Sequence, residues 1–378
     1  MSDAPPLPVD SASAEDDHPT QAAPHPGSQH MPRWTVGRLI DAPRFTWKNW
    51  PLLLGPGLVM GAAAIGGGEW LTGPLVTARY GGALLWLATL SICGQALYNI
   101  EISRYTLYTG EPIFTGKFRT LPGPMFWLVL YLVLDFGSVL PYLASNAAVP
   151  LFAMLAGRLP DPGSGAVLWN VLGAEVVVRD AMMLKGLGCG IFVVTMLPLL
   201  FGGKIYTALK AVMTFKLIVV VGFLLVLAVF FSQPSTWIEI VTGFFRFGTV
   251  PVQAPPGVED NSRVANVFVA LFTGEGLPPL DLSMLGIVAA MAAISGNGGL
   301  SNTPISNYTR DQGWGMGHHV GAIPSIVGGH SIELSHVGTV FPVTEESLPR
   351  WKRWLRHVQR DQLAVWVPAC FIGLALPS

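Results

Sequence analysis

The sequence predicts an all-α polytopic membrane protein, and three observations carry that prediction. Hydrophobic residues make up 51% of the 378 positions and mean hydropathy is +0.49. Charged residues make up only 12%, about half of the ~25% usual in soluble domains. From residue 52 onward, apolar runs long enough to cross a bilayer recur. In hydrocarbon every backbone amide needs an internal partner, which a helix supplies within its own run. A net charge of −1 argues against a nucleic-acid partner, which would require a cationic excess. Cys93, Cys189 and Cys370 lie in apolar stretches without CxxC spacing, so neither a disulfide framework nor a zinc ribbon is expected.

Residues 1–30 contain six prolines and five acids with no Lys or Arg. Such a stretch buries too little apolar area to offset its ordering entropy, and it lacks the basic and apolar regions of a signal peptide. The expected organisation is a disordered acidic, Pro-rich cytoplasmic tail over 1–45 and a transmembrane domain over 46–378. Seven spans are expected, at 52–80, 83–108, 124–156, 186–203, 205–231, 284–309 and 361–378. With the N-terminus inside, fifteen of the 22 basic residues fall in cytoplasmic loops and six in the opposite loops. That bias orients the chain N-in, in a cell (inner) membrane with the lipid bilayer as partner. The last run reaches Ser378 without a closing loop, which reads as a truncated chain with an incomplete second half.

Residues 349–360, PRWKRWLRHVQR, place Trp351, Trp354, Leu355 and Val358 on one helical face with basic residues opposite. This pattern predicts an interfacial helix leading into the last span, a solvated cytoplasmic helix being the alternative. The loop 313–345 carries His318, His319, His330 and His336 without metal-ligand spacing. It reads as a solvated polar loop rather than a metal sensor. No nucleophile–base pair or phosphate-binding loop is present, so no catalytic residue, enzyme activity or cofactor is expected.

Two spans are interrupted. The first carries Gly66-Gly67-Gly68-Glu69 at mid-depth and the sixth carries Ser295-Gly296-Asn297-Gly298-Gly299. Each glycine weakens a helix by roughly 1 kcal/mol relative to alanine, and a mid-membrane carboxylate costs roughly 2.5–3.5 kcal/mol. An anchor segment would carry neither feature, although glycines alone also permit close helix packing. Interruption of corresponding spans in two halves of a chain points to a substrate site near the bilayer midplane. The two spans lie five apart, as two inverted five-helix repeats require. Asp135 in the third span and Lys216 in the fifth are further embedded charges, candidates for a proton or charge relay or for a pair with each other. Glu101 and Arg104 have the spacing of a structural ion pair.

Gly55-Pro56-Gly57-Leu58 through Trp70, followed by Tyr80-Gly81-Gly82-Ala83-Leu84-Leu85-Trp86, resembles the first helices of Nramp-type divalent metal transporters. The resemblance covers about 52–310 and implies a LeuT-type inverted-repeat fold. Aligned on Trp70, the family's Asp-Pro-Gly-Asn motif falls on Gly66, Gly67, Gly68 and Glu69. Aligned on Leu300, its Met-Pro-His motif falls on Gly296, Asn297 and Gly298. The run Leu134-Asp135-Phe136-Gly137-Ser138 is similar to the family's Asp-x-x-Glu pair, with Ser138 replacing the Glu. Arg104 followed by Thr109-Gly110 resembles the end of its second helix.

The resemblance implies a transporter working by alternating access, with protons as a candidate coupling ion. The sulfur and imidazole ligands are absent, which leaves hard oxygen donors, Glu69, Asn297 and freed carbonyls, suited to Mg²⁺ or Mn²⁺. A small organic solute is the alternative cargo, and a non-transporting sensor on the same fold is the rival function.

Overall fold

A computed structural model describes residues 19–378 except 47, 49–53, 67–68, 140–141, 164, 172–173, 202, 256–261 and 328–331. The chain is mostly helical, compatible with an all-α membrane protein, with three small sheets among the described residues.

The expected first span is two helices, α1 (Pro56–Ala64) and α2 (Glu69–Tyr80). Helix α3 (Trp86–Thr109) follows after a 96° bend and ends on Gly110 in the left-handed region, with φ +67°. A short α4 (Ile113–Phe118) precedes the third span. That span, expected to run unbroken over 124–156, is instead α5 (Pro124–Leu134) and α6 (Tyr142–Ala156). Asp135 is the C-cap of α5 and a 3₁₀ turn follows over Phe136–Val139.

A β-hairpin of β3 (Ala166–Val171) and β4 (Ala174–Arg179) leads into α7 (Asp180–Leu200). This helix starts six residues before the expected 186 because Lys185 is accommodated on its exposed side. Helix α8 (Ile205–Phe231) has the bounds the sequence predicts. Among the described residues, α7 and α8 are the two continuous helices long and apolar enough to cross a membrane. Their outward side chains, such as Phe215 (69% exposed) and Phe230 (77% exposed), form a surface that water would not tolerate at this density.

Helix α9 (Pro234–Gly243), the strands β5 (Thr249–Pro251) and β6 (Val264–Asn266), and α10 (Val267–Phe272) follow. They cover the start of α3: Glu239 accepts from the Gly82 amide at 3.0 Å, and the Trp86 indole donates to the Thr249 carbonyl at 2.8 Å. The expected sixth span is α11 (Leu285–Ile294) and α12 (Pro304–Asp311), separated by an interruption and a 3₁₀ turn. Helices α13 (Gly317–Val320) and α14 (Ser347–Asp361) lead through a π-turn at Gln362–Trp366 into α15 (Val367–Ala375).

Two expectations are corrected at the α14 end of the molecule. Residues 19–46 do not continue the tail without structure. The strand β2 (Trp34–Val36) pairs with β1 (Thr20–Gln21) and, in parallel, with β7 (Thr339–Val340). Trp34, Leu39 and Ala42 are buried, so the apolar residues just past the acidic stretch anchor it. Helix α14 is not interfacial on its apolar face. Trp354 and Val358 are buried in one cluster with Leu39, Leu107, Trp314, Met316 and Phe341, so the stripe is covered by protein.

The loop after α12 is also not a solvated segment throughout, since Trp314, Met316, Val320, Val340 and Phe341 enter the core. His319 Nε2 lies 2.8 Å from the Arg38 carbonyl, and His330 lies outside the described residues. The Glu111–Arg119 pair holds the same region, with Nε to Oε2 at 3.0 Å and both side chains buried. Tyr105 donates to Glu111, and Arg119 also reaches the Pro32 carbonyl.

Candidate functional site

The two interruptions have different local causes. Helix α1 ends where Ile65 turns extended (ψ 119°) and Gly66 takes φ +90°, a region that only glycine enters freely. The freed carbonyl of Ala62 accepts from Lys216 Nζ at 2.9 Å. Lys216 thus reaches the end of α1 from α8. Gly67 and Gly68 lie outside the described residues, as does the side chain of Glu69, whose backbone begins α2.

In the sixth span, Ser295 ends α11 and bonds both its amide and its hydroxyl to the Met291 carbonyl. Gly296 (φ +95°) and Gly298 (φ +69°) then reverse the chain. One side chain from α3 organises this reversal. Gln95 Oε1 accepts from the amides of Asn297 (3.0 Å) and Gly298 (2.9 Å) and from Asn302 Nδ2 (2.9 Å). Its Nε2 donates to the Ser295 carbonyl (2.7 Å) and to Ser91 Oγ (2.9 Å). A single carboxamide thus replaces the helical partners that the interruption removes.

Asn297 is held from the other side by Trp366. The indole donates to Asn297 Oδ1 at 2.8 Å from the π-turn before α15, the kind of local distortion that recurs at functional sites.

A cavity of about 770 Å³ opens between these parts. Met60, Ala63 and Ala64 of α1 form one wall, and Gly296, Asn297, Leu300 and Ser301 form the wall at the second interruption. Leu128, Tyr131, Leu132 and Asp135 face it from the third span, with Phe114 and Phe118 of α4 and Tyr308 of α12. Of the residues proposed from sequence, the cavity brings together Gly296, Asn297 and Asp135. Ser295 and Gly298 support it from behind, and Gly66 and Lys216 sit together on the α8 side of α1.

The site's chemistry is one carboxylate, one amide, a few hydroxyls and a largely aliphatic and aromatic wall. Among the described residues no group of three or more His, Cys, Asp or Glu could hold a metal ion. A dedicated protein cage for a dehydrated cation is thus not among them. A Mg²⁺ ion that keeps several waters requires only one or two carboxylates.

Sequence reasoning missed Gln95 and Trp366. Gln95 is the polar residue within SICGQAL at mid-span, a signal that was available. Trp366 reads as an ordinary apolar residue of the last span, and only the π-turn aims it at Asn297. Elsewhere Glu101 and Arg104 form the expected i, i+3 pair at 2.7 Å on an exposed face.

The fold and site define a helical membrane protein with a central cavity between interrupted helices. No family model, no curated protein and no solved structure matches the chain.

Proposed function

We propose that the protein is a multi-pass membrane transporter working by alternating access, with its cargo held in the cavity between the first and sixth spans. One observation carries the reading: a single cavity is bordered at once by both interrupted spans and by the embedded carboxylate Asp135. Interrupted helices are tolerated in membranes where they line such a cavity. The resemblance to Nramp-type transporters supports the same reading, including a LeuT-type fold and an N-in orientation. The first cargo is a divalent cation of the Mg²⁺ or Mn²⁺ class. Asp135, Glu69 and Asn297 would be its protein oxygens and retained water the rest, with Lys216 as a charge at the first interruption.

A specific observation favours a second cargo, a small organic solute with an amine. The wall is dominated by Phe114, Phe118, Leu128, Tyr131 and Tyr308, and Asn297 Oδ1 already accepts from Trp366. Aromatic faces and one carboxylate suit an organic cation.

Flux into proteoliposomes separates the readings. Mg²⁺ or Mn²⁺ influx above empty vesicles, abolished by Asp135→Asn, supports the metal. If neither ion enters faster than in empty vesicles, the metal reading fails. Influx of a radiolabelled organic amine above empty vesicles would then identify the organic cargo. A chain that moves neither cargo is a sensor or scaffold rather than a transporter.

A further inference from the structure

We infer that the protein carries a built site for one anionic phospholipid at the junction of α14 and α15. Arg356, Gln359 and Arg360 line a shallow basin of about 290 Å³ with Leu363 and Ala364. An apolar groove of about 430 Å³ begins at Ala364 and Phe45, then runs between α1, α8 and α15 past Leu58, Val221 and Ile372. The two voids share Ala364 and meet where the Arg360 guanidinium stands over the Phe45 ring at 5.1 Å. From Ala364 to Ile372 the groove covers about 12 Å at 1.5 Å per residue. That is most of the ~15 Å depth of one leaflet.

The charge pattern of α14 selects the headgroup. Arg350 pairs with Glu346 and Asp41, and Arg353 pairs with Asp41. Arg356 and Arg360 have no carboxylate partner among the described residues, and both are exposed. Asp361, the nearest acid in sequence, turns inward and accepts from the amides of Gly55 and Gly57. Two guanidiniums therefore remain at the rim of an apolar groove, a geometry that binds a phosphodiester bidentately. The groove takes an acyl chain below it. Basic pockets beside transmembrane helices bind acidic headgroups in this manner. The inference rests on the membrane reading and is independent of any cargo in the central cavity.

The test uses the full chain, delipidated and returned to bilayer discs of equal parts dioleoyl phosphatidylglycerol and dioleoyl phosphatidylcholine. Lipid retained after release into detergent is counted by native mass spectrometry. One phosphatidylglycerol should be retained in preference to phosphatidylcholine. The double change Arg356→Gln and Arg360→Gln should weaken retention by about ten- to thirtyfold, whereas Lys352→Gln on the same helix should leave it unchanged. Val221→Trp should fill the groove and remove the bound lipid with both arginines intact, so loss of one variant to misfolding leaves the other decisive. Equal retention of both lipids would overturn the assignment, as would wild-type retention in either variant. So would an equal loss with Lys352→Gln, or displacement by free glycerol phosphate, which would reveal a phosphate site without an acyl groove.

Discussion

Replacing Gln95 by Leu removes five hydrogen bonds at one point and leaves the shape of the side chain nearly intact. The amides of Asn297 and Gly298 and the carbonyl of Ser295 lose the partners described above. A polar backbone group left without a partner costs about 1–3 kcal/mol. The site borders a cavity that admits water, which places each loss near the lower end. Two amides and a carbonyl together give roughly 2–4 kcal/mol, confined to the interruption. The assay is native-state hydrogen exchange, which reads local opening amide by amide. At 1.4 kcal/mol per tenfold, protection at Asn297 and Gly298 should fall by about thirty- to seven-hundredfold, while α8 is unaffected. Gln95→Glu keeps the acceptor and loses both donors, so it should lie between Leu and wild type. Unchanged protection of these amides in Gln95→Leu would refute the claim that the carboxamide holds the reversal. Transport measured in parallel should fall with protection if the reversal shapes the cargo site.

Gly296→Ala should destabilise by about 1–3 kcal/mol, because φ is +95° and an added Cβ would lie 2.8 Å from Gln95 Oε1. A thermal scan checks it, and a midpoint equal to wild type would contradict the geometry. Arg119→Leu leaves Glu111 buried without a countercharge, holding only the Tyr105 hydroxyl, and should cost about 3–5 kcal/mol, whereas Arg119→Leu with Glu111→Leu should recover much of it. His357 gives a pH dependence. Burial, reinforced by Arg360, lowers its pKa from 6.5 to about 4, and neither ring nitrogen has a hydrogen-bond partner among the described residues. The unfolded chain therefore binds a proton that the folded chain refuses. This contribution is complete above about pH 6.5 and is lost as pH falls toward 4, by up to about 3 kcal/mol. Denaturant midpoints across that window should flatten in His357→Phe.

The sequence made the interrupted spans legible because their cause is local. A run such as Gly296-Asn297-Gly298 holds helical dihedrals poorly with two side chains missing, and glycine at 66, 296 and 298 permits the positive φ seen there. The bounds of α8 were legible for the same reason, since an apolar run between Lys204 and Ser232 leaves little freedom. The break after Leu134 was signalled by Gly137 but outweighed by the apolar run on either side. What covers the stripe of α14 was not legible, because periodicity gives a face and never its partner. The same applies to Gln95, whose five partners lie mostly some two hundred residues away, and to residues 31–45, whose buried Trp34 and Leu39 were masked by averaging with the acidic stretch before them.

The pairing of β2 with β7 joins Thr35 to Thr339 and Val36 to Val340, and the Asp361 carboxylate caps the amides of Gly55 and Gly57 at the start of α1. Both closures link the beginning of the chain to segments made some three hundred residues later. During synthesis from the N-terminus, α1 is made before its capping carboxylate exists, and β2 waits without its inner neighbour. The belt around the N-terminal side is therefore the last part to become native, and it locks only after the intervening helices have been made. A ribosome halted before residue 339 would hold a chain whose later-buried Trp34 and Leu39 are still open to protease, and release past residue 361 would protect them together.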